Sequence, residues 1–167
     1  SQSLDFLETD RRDVTARQRS IRAAFDHSWN LLTAREREVM QALSVFRGGF
    51  TREAARRVAG ASLQELMALT NKSLLHRAPT GRYEIHELLR QYAEEKLDQS
   101  PRGGEAARDR HCAYYTAALQ QWETDWKGPR HKAALAQMGV EIENARAAWD
   151  WAAERVQVEG LDKALEG

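Results

Sequence analysis

Several features that would indicate a catalytic, secreted or membrane protein are scarce in this sequence of 167 residues. A single cysteine, Cys112, rules out a disulfide framework and a cysteine metal cluster; we expect a buried, inert thiol and a reducing, cytoplasmic setting. Lys and Arg total 25, as do Asp and Glu, so no net charge attracts nucleic acid or membrane. No apolar run is long enough to cross a bilayer, and no signal peptide is recognisable. The chain starts without Met, and we expect it to be part of a longer polypeptide.

A nucleotide-hydrolysing site is also missing from this sequence. It contains no G-x-x-x-x-G-K-[ST] loop and no Gly-Lys dipeptide, so nothing in it can cradle phosphates and magnesium. We find no pairing of a nucleophile with a base, and the five histidines lack the spacing of zinc ligands. We therefore predict that this chain is not an enzyme by itself and binds no metal.

Helical periodicity dominates what is present. Apolar residues from Ile21 to Leu32 recur at the spacing of one helix face, and shorter helical stretches follow up to Leu69. Particular residues are placed to start or end these helices. The starts are Ser20, Thr51 and the capping boxes Thr33-Ala-Arg-Glu36 and Ser62-Leu-Gln-Glu65, and the ends are Gly48-Gly49 and Gly60.

Two short strand-like runs, Ser73–Arg77 and Arg82–His86, flank the turn Ala78-Pro-Thr-Gly81. They predict a β-hairpin, after which helical spacing returns up to Leu97. A set of helices followed by a hairpin and an exit helix is the order of a winged helix, which we place at residues 20–98. Residues 1–19 are predicted to be a linker or the end of a preceding helical subdomain.

Two long helical segments follow, at about residues 105–127 and 130–156, after the linker-like Ser100-Pro-Arg-Gly-Gly104. They predict an α-helical hairpin that starts a helical repeat arm over residues 105–167. The fold class is therefore predicted to be mostly α, a winged helix with a small β-hairpin wing followed by this helical hairpin. Trp149 and Trp151 point to opposite sides of the last helix, so we expect one partner helix to cover only one of them.

Each of the two long segments carries apolar residues at the spacing of one helix face. In the first helix this face consists of Cys112, Tyr115, Leu119, Trp122 and Trp126. In the second it consists of Leu135, Met138, Ile142, Ala145, Trp149, Ala152 and Val156.

Four ordered blocks of sequence resemble the winged-helix subdomain of bacterial STAND signal-transduction ATPases of the NB-ARC type. The blocks are residues 19–32, 43–55, 66–75 and 82–93, and Glu143–Ala152 is similar to the entry of the tetratricopeptide-like arm of such proteins. These proteins are switches that hold ADP when off. They exchange it for ATP when a ligand reaches the arm, and then open and oligomerise.

The resemblance implies a regulatory fragment whose winged helix closes over ADP bound by an absent ATPase core, while the arm relays binding of a protein or small-molecule ligand. It implies no cofactor in this fragment, and ADP or ATP with magnesium in the parent protein. His86 matches the signature histidine that contacts the ADP β-phosphate, with Ile85 and Glu87 replacing the family's Met and Asp. A helix N-terminus beside it favours an anion.

DNA binding is the main alternative, because many winged helices read DNA with their third helix. Here that helix spans residues 63–70, carries Glu65 and contains no Lys or Arg. The candidates for base contact are Gln64, Asn71 and Lys72, and those for phosphate contact on the wing are Arg77 and Arg82. The sequence therefore makes DNA an unfavoured partner of this domain. A winged-helix DNA-binding transcriptional regulator and a protein-interaction scaffold without a nucleotide role remain as alternatives.

Overall fold

The computed structural model describes the backbone of residues 2–165 and the side chains of residues 14–156. Two compact units divide the chain, the first ending at Arg37 and the second beginning at Glu38. Over the described residues the chain is mostly helical and has one two-stranded hairpin, which confirms the predicted fold class. No helix in this part of the chain is long and apolar enough to cross a membrane.

The first unit is built on one long helix, α1 (Gln2–Asn30). The N-cap predicted at Ser20 is wrong, because α1 passes through this residue; residues 1–19 contain neither glycine nor proline to stop a helix. Whether this segment is a linker or the end of a preceding helical subdomain stays a prediction. After α1, the Arg37 side chain donates to the carbonyl oxygens of Trp29 and Asn30, at 3.0 and 3.1 Å, and so caps the helix end.

The remaining elements of the winged helix follow in the predicted order. They are α2 (Ala34–Leu43), α3 (Arg52–Ala59), α4 (Leu63–Asn71), β1 (His76–Arg77), β2 (Tyr83–Glu84) and α5 (Glu87–Asp98). Both predicted capping boxes form, and Thr51 caps α3 by accepting from the Ala54 N–H at 3.1 Å. Gly60 ends α3 in the left-handed conformation.

The hairpin that forms the wing is confirmed, with strands of two residues each. β1 and β2 pair antiparallel, with Arg77 opposite Tyr83. Tyr83 also exchanges two backbone hydrogen bonds with Phe50, at 2.8 and 2.9 Å, which fixes the wing to the loop after α2. Gly49 of this loop has a φ of 102°, and a Cβ there would lie 3.1 Å from the Tyr83 carbonyl oxygen. Only glycine fits at this close approach.

The last two helices, α6 (Pro101–Trp126) and α7 (His131–Leu165), form an antiparallel pair. The linker predicted at 100–104 is wrong, because α6 begins at Pro101. Proline is compatible with the first turn of a helix, where its missing N–H costs nothing. Gly104 lies where α6 approaches α5, since an added Cβ would be 3.5 Å from the Leu97 carbonyl oxygen.

Helix α6 also packs on the winged helix. The Arg110 Nε donates to the Val58 carbonyl oxygen at the end of α3, at 2.6 Å. The Arg108 guanidinium pairs with Asp98 at the end of α5, at 2.7 Å. The helical pair and the winged-helix elements from Glu38 onward therefore belong to one compact unit. The domain limits 20–98 and 105–167 stay predictions.

The helical pair buries only part of its apolar residues, including Tyr115 and Trp122 of α6. In α6, His111 is buried while its neighbour Cys112 is only half-buried, so the prediction of a buried thiol is wrong. In α7 the large apolar residues point mostly outward. The side chains buried there are Ala134, Glu141, Asn144, Ala145 and Ala148. Small alanines let α7 approach its neighbours closely, and hydrogen bonds satisfy its two buried polar side chains.

Candidate functional site

His86 lies where the sequence places it, between the wing and the start of α5. It is the N-cap residue of α5, and its Nδ1 accepts a hydrogen bond from the Leu88 N–H at 3.3 Å. In the neutral ring the proton is therefore on Nε2, which becomes the donor. The side chain is exposed, so this N–H can reach a group outside the described residues.

A cleft of about 200 Å³ adjoins this turn. Its walls are formed by Phe46, Gly48, Gly49, Phe50, Glu84, Ile85, Glu87 and Arg90. Two carboxylates face it, and the hydrogen bonds from Arg90 hold the pKa of Glu87 down at about 2. Arg90 lines the same cleft and pairs with Glu87, so two carboxylates and one guanidinium surround it.

Glu87 and Arg90 form a paired unit at the start of α5. The Glu87 carboxylate accepts from Arg90 Nε and Nη2, both at 2.9 Å, a two-point arrangement that fixes the guanidinium plane. Arg90 is itself buried and donates from Nη1 to the Ser44 carbonyl oxygen at 2.9 Å. Arg90, oriented by Glu87, thus anchors α5 to the end of α2.

Arg47 caps the same end of α2 from the other side. Its Nη1 donates to the carbonyl oxygens of Ser44, Val45 and Phe46, at 2.9 to 3.2 Å. Its Nη2 pairs with Glu94 at 2.8 Å. Burial raises the pKa of Glu94, but hydrogen bonds from Arg90 and Arg47 outweigh it, so the pKa lies below its usual range. The carboxylate between two arginines therefore stays ionised.

Asn144 of α7, which is fully buried, is the centre of a second polar cluster. Its Oδ1 accepts from the Arg47 backbone N–H at 2.6 Å, and its Nδ2 donates to the Gly49 carbonyl oxygen at 2.8 Å. A further bond runs from Nδ2 to Glu141 at 3.0 Å. These three bonds fix which end of the amide is oxygen. One side chain of α7 thus holds two positions within the loop after α2, the Arg47 N–H and the Gly49 carbonyl oxygen.

Glu141, one turn earlier on α7, holds the wing. Its Oε1 accepts from Arg82 Nη1 at 2.6 Å, and its Oε2 accepts from the Tyr115 hydroxyl at 3.0 Å. Arg82 also donates to the Gly49 carbonyl oxygen at 3.1 Å. We call Arg82, Glu141, Asn144 and the loop residues Arg47 and Gly49 the wing lock.

His111 of α6 lies beside the wing lock. Burial lowers its pKa to about 4, so the ring is neutral near pH 7. Its Nε2 lies 3.4 Å from Asn144 Oδ1, which fixes the donor role at Nε2 because that oxygen can only accept. Among the described residues, no buried side-chain polar atom lacks a hydrogen-bond partner. The lock is therefore a satisfied network that favours one arrangement of wing and helical pair.

The surface of α4 offers little to DNA. Its exposed face consists of Leu63 and Met67, which are 40% and 54% exposed, together with Gln64 and Asn71. Specific readout needs several donors and acceptors at base edges, and phosphate contacts need cations. Within α4 the structure therefore brings together an apolar patch with two amides, which suits contact with protein.

The basic residues around α4 are found in three settings: turned inward, exposed near α4, or paired with a carboxylate on α3. Arg82 does not contact phosphate as predicted, because it points inward to Glu141 and its side chain is only 16% exposed. Arg77 on the wing and Lys72 after α4 are exposed. On α3, Arg56 and Arg57 pair with Glu53 at 2.8 and 3.0 Å, as expected for a solvated face. Only a sparse set of cations thus surrounds the surface that would face DNA.

Comparison with known proteins finds relatives that are named as transcriptional regulators. The chain is 37% identical over 154 residues to a protein of Mycobacterium bovis and to proteins of two Mycobacterium tuberculosis strains. All three carry names that assign them provisionally to the HTH-type transcriptional regulators. The match covers 86% of this chain but only 17% of each relative. No protein-family model matches the chain, and no solved structure matches it significantly.

These names bear on two predictions. They favour the alternative, a transcriptional regulator, over the nucleotide-dependent switch. They also weigh against the prediction that DNA is an unfavoured partner, although the surface of α4 supports it. The chain spans about one sixth of each relative. The HTH region to which the names refer can therefore lie in this segment or outside it.

Proposed function

We propose that this chain is a regulatory segment of a transcriptional regulator, in which the helical pair sets the position of the wing and the loop after α2. The proposal rests on one observation, the wing lock. Through Glu141 and Asn144, a single helix binds the wing, at Arg82, and the loop that pairs with it, at Arg47 and Gly49. A shift of α7 would therefore move both.

In its more specific form, the proposal is that the parent protein is a nucleotide-dependent regulator of the STAND type. Its support is the sequence resemblance and the position of His86, whose Nε2 can donate to an anion bound by another part of the polypeptide. Glu87 belongs to the same turn, and its pairing with Arg90 ties that turn to the end of α2, which the wing lock also holds. A nucleotide phosphate at His86 and a ligand on the helical pair would thus act on one connected structure.

A second candidate is direct DNA binding by the winged helix, and the names of the relatives favour it. Its contacts would be Gln64 and Asn71 to bases and Lys72 and Arg77 to phosphates, all of them exposed. Each phosphate contact releases counterions, so such binding depends steeply on salt.

A titration of the chain with a short mixed-sequence duplex at 50 and 200 mM salt, buffer concentrations chosen to span roughly the usual range, separates the two candidates. We expect only weak binding, with Kd no tighter than about 10⁻⁴ M at the higher salt. Fluorescence anisotropy is the readout. Tight binding at low salt that falls about tenfold at the higher salt, as two phosphate contacts predict, and that is lost in Lys72→Ala/Arg77→Ala but kept in Arg56→Ala, would establish the second candidate.

A further inference from the structure

Four large apolar side chains form an exposed row along α7, each seven residues from the next. Leu135, Ile142, Trp149 and Val156 are 48%, 49%, 73% and 71% exposed. A spacing of seven is the repeat of helices that pair in coiled coils. The row thus has the pattern of a helix-pairing surface.

Three further residues complete this pattern. Gly139, Arg146 and Ala153 alternate with the large residues at steps of four and three, and all three are exposed. A Cβ added at Gly139 would meet nothing within 4 Å. We name these seven positions the α7 seam. They are Leu135, Gly139, Ile142, Arg146, Trp149, Ala153 and Val156.

We propose that the α7 seam binds the α7 seam of a second copy of this chain, with the two helices antiparallel. Coiled-coil packing sets each first position of the repeat opposite a fourth position in an antiparallel pair. A two-fold axis between Arg146 and Trp149 then places Gly139 opposite Val156 of the second copy. It places Ala153 opposite Ile142 in the same way, so that large side chains face small ones.

Charge complementarity supports the same register. Arg146 lies opposite Trp149 of the second copy, where a guanidinium can stack on the indole ring. It is then flanked by its own Glu143, at 3.3 Å, and by Asp150 of the second copy, the residue after Trp149. A parallel pair would set Arg146 against Arg146 and leave Gly139 opposite Gly139. The antiparallel arrangement therefore avoids like charges and empty space at the centre of the seam.

The size of the seam makes this a weak association. It spans 22 residues of helix, about 33 Å, but only four side chains are large. An aromatic side chain buries roughly 150–250 Å² and the aliphatic ones less, so the total lies near the lower limit of about 1,200 Å² for specific interfaces. Dimers should therefore form reversibly and only at high concentration.

Sedimentation equilibrium of the whole chain tests the proposal. We expect a monomer–dimer equilibrium, which Gly139→Leu weakens at least tenfold because it fills the space that Val156 of the second copy occupies. Leucine favours helix more than glycine does, so lost folding would not explain this result. Ala133→Leu, an exposed alanine of α7 outside the seam, is the matched control and should leave the equilibrium unchanged.

Exchanging the charges of Arg146 and Asp150 provides a second test of the proposed dimer. Arg146→Asp should weaken the dimer by bringing three carboxylates together, and Arg146→Asp/Asp150→Arg should restore it. A chain that stays monomeric at the highest concentration overturns the proposal, as does a dimer that survives Gly139→Leu. A monomer whose Trp149 is shielded from iodide overturns it as well, because another segment would then cover the seam.

Discussion

Replacing Asn144 with leucine should reduce the free energy of unfolding by about 3–5 kcal/mol, a large part of the roughly 5–15 kcal/mol typical of a domain. Asn144 is fully buried, and the substitution removes its bonds to the Arg47 N–H, the Gly49 carbonyl and Glu141. Leucine has the same number and branching of side-chain heavy atoms as asparagine and is somewhat larger, so the loss does not come from a cavity. The cost comes from backbone groups left buried without a partner.

Urea unfolding followed by circular dichroism measures this change. Glu154→Leu is the matched control, since it makes an equivalent substitution at an exposed position of the same helix and should change stability by less than about 0.5 kcal/mol. A loss of less than about 1 kcal/mol in Asn144→Leu would mean that the amide has no structural importance in solution.

In the full-length polypeptide, His86→Ala should weaken ADP binding about 10- to 100-fold. One hydrogen bond to a charged group contributes roughly 1.5–3 kcal/mol, and about 1.4 kcal/mol corresponds to a tenfold change in affinity. If His86 contacts only the ADP-bound form, the substitution destabilises the off state relative to the on state by the same free energy. Basal transcriptional output should therefore rise. Isothermal titration calorimetry with ADP gives the affinity.

His76→Ala is the control for this experiment, because His76 is another exposed histidine on the same hairpin. It should leave ADP affinity unchanged. If His86→Ala also leaves it unchanged, His86 has only its structural role as the N-cap of α5. If the full-length polypeptide does not bind ADP at all, the nucleotide-dependent form of the proposal is wrong, while the wing lock and its regulatory role stand.

Most of the fold could be predicted from local signals in the sequence. Capping boxes, left-handed glycines and the proline–glycine turn act within a few residues, so the sequence predicts α2 to α5 and the hairpin correctly. The failures lie where a local signal is ambiguous. Ser20 can cap a helix or lie inside one, and Pro101 can end a linker or begin a helix. Only the packing of α6 on α5 and α3 decides the second case.

The wing lock could not be predicted from the sequence. Its members come from the loop after α2, the wing and α7, and Arg47 and Asn144 are 97 residues apart. The expectation that one partner helix covers only one of Trp149 and Trp151 is confirmed, because Trp149 is 73% exposed and Trp151 is half-buried. The sequence did not show which side of α7 is buried. The structure buries a face of small alanines with Glu141 and Asn144, because the carbonyls and N–H groups of the loop require polar partners. The spacing of Glu141 and Asn144 among alanines was the one available signal.

The central claim, that α7 holds the wing, is tested most directly by amide hydrogen exchange in Glu141→Gln. Three donors converge on the Glu141 carboxylate, and a glutamine cannot accept from all of them. The account predicts at least about tenfold faster exchange at the Phe50 and Tyr83 amides, which pair the loop with the wing, and unchanged exchange at Leu69 in α4. Unchanged exchange at Phe50 and Tyr83, or equal acceleration at all three amides, would contradict it.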